Sequence, residues 1–374
     1  MDSTQKKTIV LTGGGTAGHV TPNMALIEAY ADTANLHYIG MRDSIEQTLI
    51  KDTTIPFYTI SAGRLRRYMT LKHIGEPFKV LKGFFQAYRL LSKIKPDIVF
   101  SKGGFVAVPV VMAAWFKKIP VVAHESDMTP GLANRLCFPF VQTLCVNFPE
   151  VKKYFKHQDR VYVTGTPVRQ FLMQGSRDKG LSLTGFDVKR KTILVIGGSL
   201  GSVKINEVIR KALPELLKQY QVIHICGKGN LSQSLKDTPH YYQVEFAQKE
   251  LADILALSDV VISRSGANML YELLTLAKPH VLIPLSKKAS RGDQIDNALH
   301  FEKKGVSLVI QEKSLNQKTL IKNLEIALEH QDEYIQKIKE LKMESATQTI
   351  KDLLDQKMLK RSSMNLGCDC KMDI

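Results

Sequence analysis

A glycine-rich segment near the start of the chain ends in a histidine. Gly13, Gly15 and Gly18 follow the apolar run Thr8–Thr12, and His19 comes directly after them. Glycines let a ligand approach the backbone, and the first N–H groups of the following helix would face it. The helix dipole disfavours imidazolium, so we expect a neutral His19 that can accept a proton near neutral pH. The segment predicts a ligand-binding loop with a candidate general base, against the alternatives of a tight turn without a ligand and a structural histidine.

The same glycines also satisfy G-x-G-x-x-G, the pattern of a dinucleotide-binding turn. The dehydrogenase version requires an acidic residue at the end of the second strand to hold the ribose. That strand ends in Tyr38-Ile39-Gly40, and Asp43 lies beyond the turn. A nicotinamide-dependent oxidoreductase is therefore a weak alternative, which purification without a bound nicotinamide cofactor would dismiss.

Two further apolar runs of the first half end in segments that could contact a ligand. Ser101–Phe105 supplies a second glycine-rich turn, and His124–Asp127 ends the next run. Open α/β sheets bind ligands at the carboxyl ends of their strands. Lys102, Glu125 and Asn134 are therefore candidates for contacts with an acceptor or a sugar. Capping a helix or pairing with a neighbour explains Lys102 and Glu125 equally well.

The second half carries a similar set of residues. Ser199 lies in the glycine-rich segment Gly197–Gly201, where hydroxyl and N–H groups could hold a diphosphate. Ser263–Glu272 then joins a strand to a helix, with small residues at the helix start. Glu272 falls about a turn and a half further along, where a carboxylate can accept both hydroxyls of a ribose. The alternative is that Glu272 is an ordinary surface residue.

Short runs rich in β-branched residues supply the strands that must position these segments. They are Thr8–Thr12, Leu36–Ile39, Phe57–Ile60, Asp97–Phe100, Val121–His124, Leu144–Asn147, Val161–Thr164, Thr192–Ile196, Val222–Cys226, Val244–Phe246, Val260–Ser263, Val281–Pro284 and Ser307–Ile310. Most are separated by segments long enough for a helix. Continuous apolar strands that alternate with helices are typical of parallel sheets covered on both faces, so we predict a doubly wound α/β protein.

The pattern restarts midway along the chain. A strand, a glycine-rich turn and a helix are predicted both at Ile9–Gly18 and at Ile193–Gly201. Each half thus opens like a nucleotide-binding domain, and two such domains facing each other would make a cleft. We place these Rossmann-like domains at 1–165 and 166–345. A C-terminal helix and frayed tail at 346–374 could pack back on the first domain.

Composition limits the partners of the chain. The net charge of +16 favours an anionic partner. The basic residues are dispersed, however, and no pattern of a nucleic-acid-binding motif is present, so we expect no nucleic acid. No apolar run reaches the roughly 20 residues that cross a bilayer, and the polar start lacks a signal-peptide core, which predicts a cytoplasmic protein. Cys368 and Cys370 alone do not make a zinc site, and we expect no disulfide, metal or cofactor.

Taken together, these segments resemble the MurG family of peptidoglycan N-acetylglucosaminyltransferases, of the GT-B superfamily, in a form like that of low-GC Gram-positive bacteria. The likeness covers residues 7 to 345. Its motifs are Gly13–Pro22, Gly103–Pro109, His124–Asp127 with Pro130–Asn134, Gly165–Arg169, Gly197–Gly201, Ser263–Ala267 with Glu272, and Gly292–Ala298. Several such blocks in the right order are far more specific than any one of them.

The resemblance implies a GT-B fold and a reaction. That reaction is the inverting transfer of N-acetylglucosamine from UDP-N-acetylglucosamine to the muramyl 4-hydroxyl of undecaprenyl-pyrophosphoryl-muramoyl-pentapeptide, which converts lipid I to lipid II. It implies a peripheral protein at the cytoplasmic side of the cell membrane that serves peptidoglycan synthesis, cell shape and cell division. Another GT-B glycosyltransferase or a UDP-sugar epimerase is the alternative enzyme. A silent nucleotide-sugar-binding subunit would lack a base such as His19.

The resemblance also implies roles for single residues. His19 becomes the acceptor-side base, with Glu125 next in line. The implied donor contacts are Thr16, Ala17, Gly18, Asn134, Arg169, Ser199, Ser265, Gly266, Ala267, Glu272 and Gln294. Some members carry Gln-Gln where this chain has Asp293-Gln294, and we expect Gln294 to touch the sugar. Arg169 or Arg264, with helix dipoles, would replace a cation at the leaving diphosphate.

An aromatic and basic segment offers a membrane contact. Pro77–Phe85 predicts a helix on which Phe78, Leu81 and Phe85 recur at helical spacing beside Lys79 and Lys82, and Trp115–Lys118 offers a second aromatic and basic end. Such surfaces bind anionic headgroups. The alternative is that the aromatic stripe belongs to the core, as is usual for helices.

Overall fold

The computed structural model describes residues 6–63, 76–198, 201–287, 290–343 and 345–369, with the side chains of 362–369 excepted. The chain divides into two compact units. Unit 1 comprises Met1–Val168 and Glu344–Ile374, and unit 2 comprises Arg169–Met343. The division thus lies between Val168 and Arg169, slightly beyond the boundary that we placed after residue 165, and the C-terminal helix is part of unit 1.

Unit 1 is built on a seven-stranded parallel sheet in the order β3-β2-β1-β4-β5-β6-β7. The strands are β1 Lys7–Thr12, β2 Ala34–Gly40, β3 Phe57–Thr59, β4 Ile98–Ser101, β5 Val121–Glu125, β6 Thr143–Val146 and β7 Val161–Val163. The helices are α1 Thr21–Tyr30, α2 Ile45–Ile50, α3 Glu76–Ile94, α4 Ala107–Phe116, α5 Leu132–Cys137 and α13 Ala346–Asp369. The strand order reverses between β1 and β4, which is where sheets of this kind open a ligand-binding crevice.

The last helix completes the core of unit 1. Ile350, Leu354 and Met358 of α13 are buried in one cluster with residues of α1, β1 and β2. The Tyr30 hydroxyl on α1 donates a hydrogen bond of 2.8 Å to Asp355. Residues far apart in sequence therefore close one face of the sheet together.

Unit 2 is built on a six-stranded parallel sheet in the order β10-β9-β8-β11-β12-β13. The strands are β8 Thr192–Ile196, β9 Gln221–Ile225, β10 Tyr241–Val244, β11 Val260–Ser263, β12 His280–Leu282 and β13 Leu308–Val309. The helices are α6 Arg177–Thr184, α7 Val203–Gln219, α8 Leu251–Leu257, α9 Ala267–Thr275, α10 Asp293–Lys303, α11 Gln317–Glu329 and α12 Gln331–Glu340. Here too the order reverses beside the first strand, between β8 and β11. Two doubly wound parallel-sheet units confirm the predicted fold class.

One predicted strand was misplaced. The strand expected at Val244–Phe246 forms at Tyr241–Val244, where Tyr241 pairs with Val222 and Val244 with Ile225. β10 is the edge strand of its sheet and is mostly only half-buried. An edge position tolerates a polar residue such as Gln243, which breaks the continuous apolar run that the prediction relied on.

We predict that acid weakens unit 2 through two buried histidines. Burial lowers the pKa of His280 to about 4 and that of His224 to about 3. In the unfolded chain both would titrate near 6.5, so the folded state favours their neutral forms. Stability is therefore complete above pH 6.5 and is lost as the pH falls from 6.5 toward the two folded-state values, because only the unfolded chain takes up protons in that range. From pH 7 to pH 5 each histidine should lower the free energy of unfolding by about 2 kcal/mol.

Denaturant titrations at both pH values measure this loss. A His280→Asn protein should lose part of the pH dependence, whereas His157→Asn, at an exposed position, should keep all of it. The same pH dependence in all three proteins would contradict the assignment.

Candidate active site

Two glycine-rich loops of unit 1 meet at the point where the strand order reverses. The amide of Gly14, after β1, donates a hydrogen bond of 3.2 Å to the carbonyl of Gly103, after β4. Gly104 has a φ of +83°, and a Cβ atom there would strike the carbonyl oxygen of Gly14. The close approach of the two loops therefore requires glycine at position 104.

A buried glutamate that the sequence did not single out supports the first loop. Glu46 on α2 is fully buried, and its carboxylate accepts hydrogen bonds of 3.1 Å from the amides of Gly15 and Met41. A Cβ atom at Gly14 would collide with this carboxylate. Glu46 was missed because only the packing of α2 against the sheet brings it beneath the loop.

His19 lies beside this loop in a short 3-10 turn, Ala17–His19, that precedes α1. Its Nδ1 atom lies 3.0 Å from the carbonyl oxygen of Gly14 and 3.2 Å from the Thr16 hydroxyl. Because a carbonyl oxygen only accepts, the contact with Gly14 requires the proton on Nδ1. The neutral ring then carries its lone pair on Nε2. This tautomer can accept a proton through Nε2.

The Glu125 carboxylate at the end of β5 organises the turn that follows it. It accepts hydrogen bonds of 3.0 Å from the amides of Asp127 and Gly131 and one of 2.9 Å from the side chain of Asn134. Burial raises the pKa of Glu125. These contacts correspond to the alternative in which Glu125 pairs with neighbouring groups. The catalytic role of Glu125 stays a prediction.

Lys102 lies next to this network and is only 2% exposed. Its ammonium group donates a hydrogen bond to the hydroxyl of Ser126. Burial lowers the pKa of Lys102, while the carboxylates of Glu125 and Asp127 act in the opposite direction. The two carboxylates thus partly offset the cost of burying the Lys102 ammonium group.

Asn134 belongs to unit 1 and is buried at the start of α5. Its amide nitrogen contacts Glu125 and the carbonyl of His124, and its Oδ1 atom has no partner among the described residues. Thr16, Ala17 and Gly18 are in the same unit. The donor contacts predicted for these four residues therefore belong to unit 1, whereas those predicted for Glu272 belong to unit 2.

In unit 2, the N-terminus of α9 gathers several predicted donor contacts. Gly266 is its N-cap residue and has no side chain that could cap the helix, and Ala267 begins the helix. The Ser265 hydroxyl is buried and donates to the carbonyl of Gln294 at 2.7 Å. The amides of the first helical turn, rather than this hydroxyl, are therefore placed to meet an anion.

The neighbouring start of α10 distinguishes Asp293 from Gln294. Asp293 forms an ion pair of 2.7 Å with Arg291. Gln294 accepts a hydrogen bond of 3.0 Å from the amide of Leu285, and its side-chain nitrogen lies 4.0 Å from where a Cβ atom of Gly266 would be. This placement favours Gln294 as the residue beside a ligand at α9.

Both arginines proposed for the leaving diphosphate are engaged in ion pairs. Arg169 contacts the Glu272 carboxylate at 2.9 Å, and Arg264 contacts the Glu312 carboxylate at 2.6 Å. Arg264 also donates to the Ser202 hydroxyl at 2.7 Å and to the carbonyl of Ile283 at 3.1 Å. Through these contacts Arg264 links the loops after β11 and β12 to the start of α7. Ser199 lies outside the described residues.

Comparison with known proteins identifies the family. Residues 9–146 match the glycosyltransferase family 28 N-terminal domain, and residues 192–355 match the family 28 C-terminal domain. A Legionella pneumophila (strain Lens) protein is 55% identical over 91% of this chain and 94% of its own length. It is named UDP-N-acetylglucosamine--N-acetylmuramyl-(pentapeptide) pyrophosphoryl-undecaprenol N-acetylglucosamine transferase. The chain belongs to the MurG family.

Other comparisons agree with this assignment. A Clostridium perfringens (strain ATCC 13124) protein of the same name is 51% identical over 94% of this chain and 98% of its own length. Relatives from both genera match at similar identity, so the likeness does not single out the low-GC Gram-positive form. The crystal structure of Acinetobacter baumannii MurG aligns with a TM-score of 0.72 and 26% identity, over 94% of this chain and 99% of that one. The predicted GT-B glycosyltransferase fold is thus confirmed.

This MurG-family chain carries an exposed apolar surface on unit 1, which we call the aromatic surface. It consists of Phe78, Leu81 and Phe85 on α3 and of Trp115 and Phe116 on α4. Phe78 is 72% exposed and Phe116 is 57% exposed. The aromatic stripe on α3 is therefore not part of the core, and exposed apolar surface of this kind is typical of interaction sites.

Ring contacts join the two helices of the aromatic surface. Phe84 packs edge-on against both Phe85 and Phe116, with centroid distances of 5.4 Å. Lys79, Lys82 and Lys118 are exposed on the same helices or directly after them. Apolar rings flanked by lysines form the combination that binds anionic lipid surfaces. No helix within the described part of the chain is both long and apolar enough to span a bilayer.

Proposed function

We propose that the protein transfers N-acetylglucosamine from UDP-N-acetylglucosamine to the 4-hydroxyl of a lipid-linked N-acetylmuramoyl-pentapeptide, with inversion at the anomeric carbon. The observation that carries the proposal is the 55% identity, over nearly the whole chain, to a relative named as an N-acetylglucosamine transferase that pairs this donor with N-acetylmuramyl-(pentapeptide) pyrophosphoryl-undecaprenol. The arrangement at α9 supports it, because Gln294 lies beside the N-terminus of this helix and Glu272 is on the same helix.

In this proposal unit 2 binds the donor. Glu272 accepts the ribose hydroxyls, the first turn of α9 receives the diphosphate, and Gln294 contacts the sugar. Glu272 lies five residues beyond Ala267, which at 1.5 Å per residue is about 7.5 Å along the helix axis. A ribose at Glu272 therefore leaves the attached phosphates within reach of the helix start.

Unit 1 supplies the acceptor side of the reaction. His19 takes the proton of the muramyl 4-hydroxyl through Nε2, and that oxygen attacks the anomeric carbon of the donor sugar. The bond from this carbon to the diphosphate oxygen breaks on the opposite face, and UDP leaves with the electron pair. The helix dipole of α9 and a guanidinium group stabilise the charge that develops on the diphosphate.

An assay of UDP release with a soluble lipid I analogue tests this function. UDP release should require both the analogue and UDP-N-acetylglucosamine, and the product should carry a β-linked N-acetylglucosamine. UDP-glucose and UDP-N-acetylgalactosamine serve as competing donors. Acceptor-independent formation of an epimerised UDP-sugar would replace the transferase proposal with the epimerase alternative.

We propose further that the aromatic surface attaches the protein to the cytoplasmic side of the cell membrane. The apolar rings would enter the interface, while lysines attract anionic headgroups. We predict binding to anionic vesicles that decreases as salt screens this attraction, and weak binding to neutral vesicles. Replacing Lys79, Lys82 and Lys118 together by Glu should abolish flotation with anionic vesicles.

A charge-matched control separates the effect of the aromatic surface from the effect of net charge. Replacing Lys313, Lys318 and Lys322 of unit 2, which are all exposed, by Glu makes the same change in net charge and should leave flotation nearly intact. Equal flotation with neutral and anionic vesicles at every salt concentration, or equal losses in the two triple variants, would contradict the proposal.

A further inference from the structure

The carboxylate assigned to the ribose is occupied by an arginine of the same unit. Nε and Nη2 of Arg169 both lie 2.9 Å from Oε1 of Glu272. The side chains are 19% and 4% exposed, respectively. This charge-assisted contact is therefore largely shielded from water, and breaking it without replacement leaves two poorly solvated charges.

A ribose cannot use that carboxylate fully while Arg169 stays in place. A carboxylate oxygen has two lone-pair positions, and the two N–H groups of Arg169 fill both positions of Oε1. A cis-diol that donates to both oxygens of Glu272 must therefore displace the guanidinium. The displaced cation needs a new anionic partner if the exchange is to be favourable.

The ligand itself provides such a partner when it carries phosphate. The diphosphate would lie toward the N-terminus of α9, roughly 7.5 Å along the axis from Glu272 by helix geometry. The long, flexible side chain of Arg169 can cover much of that distance. Phosphate oxygens accept two parallel N–H bonds from a guanidinium, as a carboxylate does.

We propose that Arg169 determines specificity for nucleoside diphosphates by covering Glu272 until phosphate draws the guanidinium away. A nucleoside without phosphate must break the ion pair with no compensation and binds weakly. A nucleoside diphosphate exchanges one charge-assisted contact for another. The inference rests on the proposed placement of the donor ribose at Glu272.

Binding of uridine and UDP to the native protein and to Arg169→Met tests this inference. The variant should bind uridine more tightly, by roughly tenfold, because Glu272 is no longer covered. It should bind UDP more weakly, by roughly tenfold, because a phosphate contact is lost. Calorimetry measures the affinity for UDP, and ligand-observed NMR measures the weaker affinity for uridine.

Two further measurements keep the test decisive. Thermal unfolding shows whether Arg169→Met folds. If it does not, Arg169→Lys replaces it, because lysine keeps the charge but cannot make the two-pronged contact. Arg169→Lys should shift the affinities for uridine and UDP in the same directions, but by less. A general structural defect would lower both affinities. Uridine affinity that is unchanged or lower in a folded variant overturns the inference alone. Absence of UDP binding by the native protein overturns the proposed function as well.

Discussion

Replacing His19 with Ala lowers kcat by about 10²- to 10⁴-fold, the usual contribution of a general base, and leaves the affinity for UDP nearly unchanged. The first effect follows from the orientation of the ring, whose Nδ1 atom is held by Gly14 and Thr16. The second follows because the carboxylate, helix start and glutamine proposed for the donor belong to unit 2, whereas His19 belongs to unit 1. At about 1.4 kcal/mol per decade the loss corresponds to roughly 3–5 kcal/mol of barrier.

The measurement pairs kcat at saturating acceptor with UDP affinity and thermal stability of the same protein. His157→Ala, at an exposed position, is the matched control and should retain full activity. A structural histidine would instead lower melting temperature and activity together. A folded His19→Ala protein with near-normal kcat from pH 6 to pH 9 would show that His19 is not the base, and Glu125→Gln would be the next variant to assay.

Replacing Glu272 with Ala weakens UDP binding by roughly 100-fold and uridine binding by a similar factor. The carboxylate would no longer accept the ribose hydroxyls, and hydrogen bonds to a charged group contribute about 1.5–3 kcal/mol each. In the variant neither ligand has to break the ion pair between Arg169 and Glu272, which offsets part of the loss for both.

Calorimetry with UDP and NMR with uridine measure both losses, and the acceptor KM should change little. Glu302→Ala removes an exposed carboxylate from the same unit and is expected to leave both affinities unchanged. Glu272 is buried beside Arg169, so its removal also affects stability. Thermal unfolding of the variant is therefore measured together with its binding. Unchanged UDP affinity in a folded Glu272→Ala protein would remove the ribose role.

The sequence predicted the fold class and the positions of nearly all strands, because both follow from local patterns. A continuous apolar run between glycine-rich turns has few alternatives to a buried parallel strand. The same holds for the loops after β1, β4 and β11, which were placed correctly at the carboxyl ends of their strands. The misplaced strand β10 lies at a sheet edge, where the apolar pattern is weakest.

Other features depend on residues that are far apart in the chain. The family resemblance implied that Arg169 and Glu272 both contact the donor, yet nothing in the sequence indicated that they pair across 103 residues. It also gave no sign of Glu46 beneath the first glycine-rich loop. The stripe on α3 was compatible with core or surface until the packing of α3 and α4 left Phe78 and Phe116 exposed.

The sequence by itself therefore determined which segments form the strands, turns and helix starts, and through its motifs the family to which the chain belongs. Only the tertiary structure decided which of the candidate side chains are already occupied by a partner and which apolar side chains face solvent. The physical reason is that strand and turn formation depend on neighbours within a few residues. Ion pairing and burial depend on distances between groups that the chain brings together only when it folds.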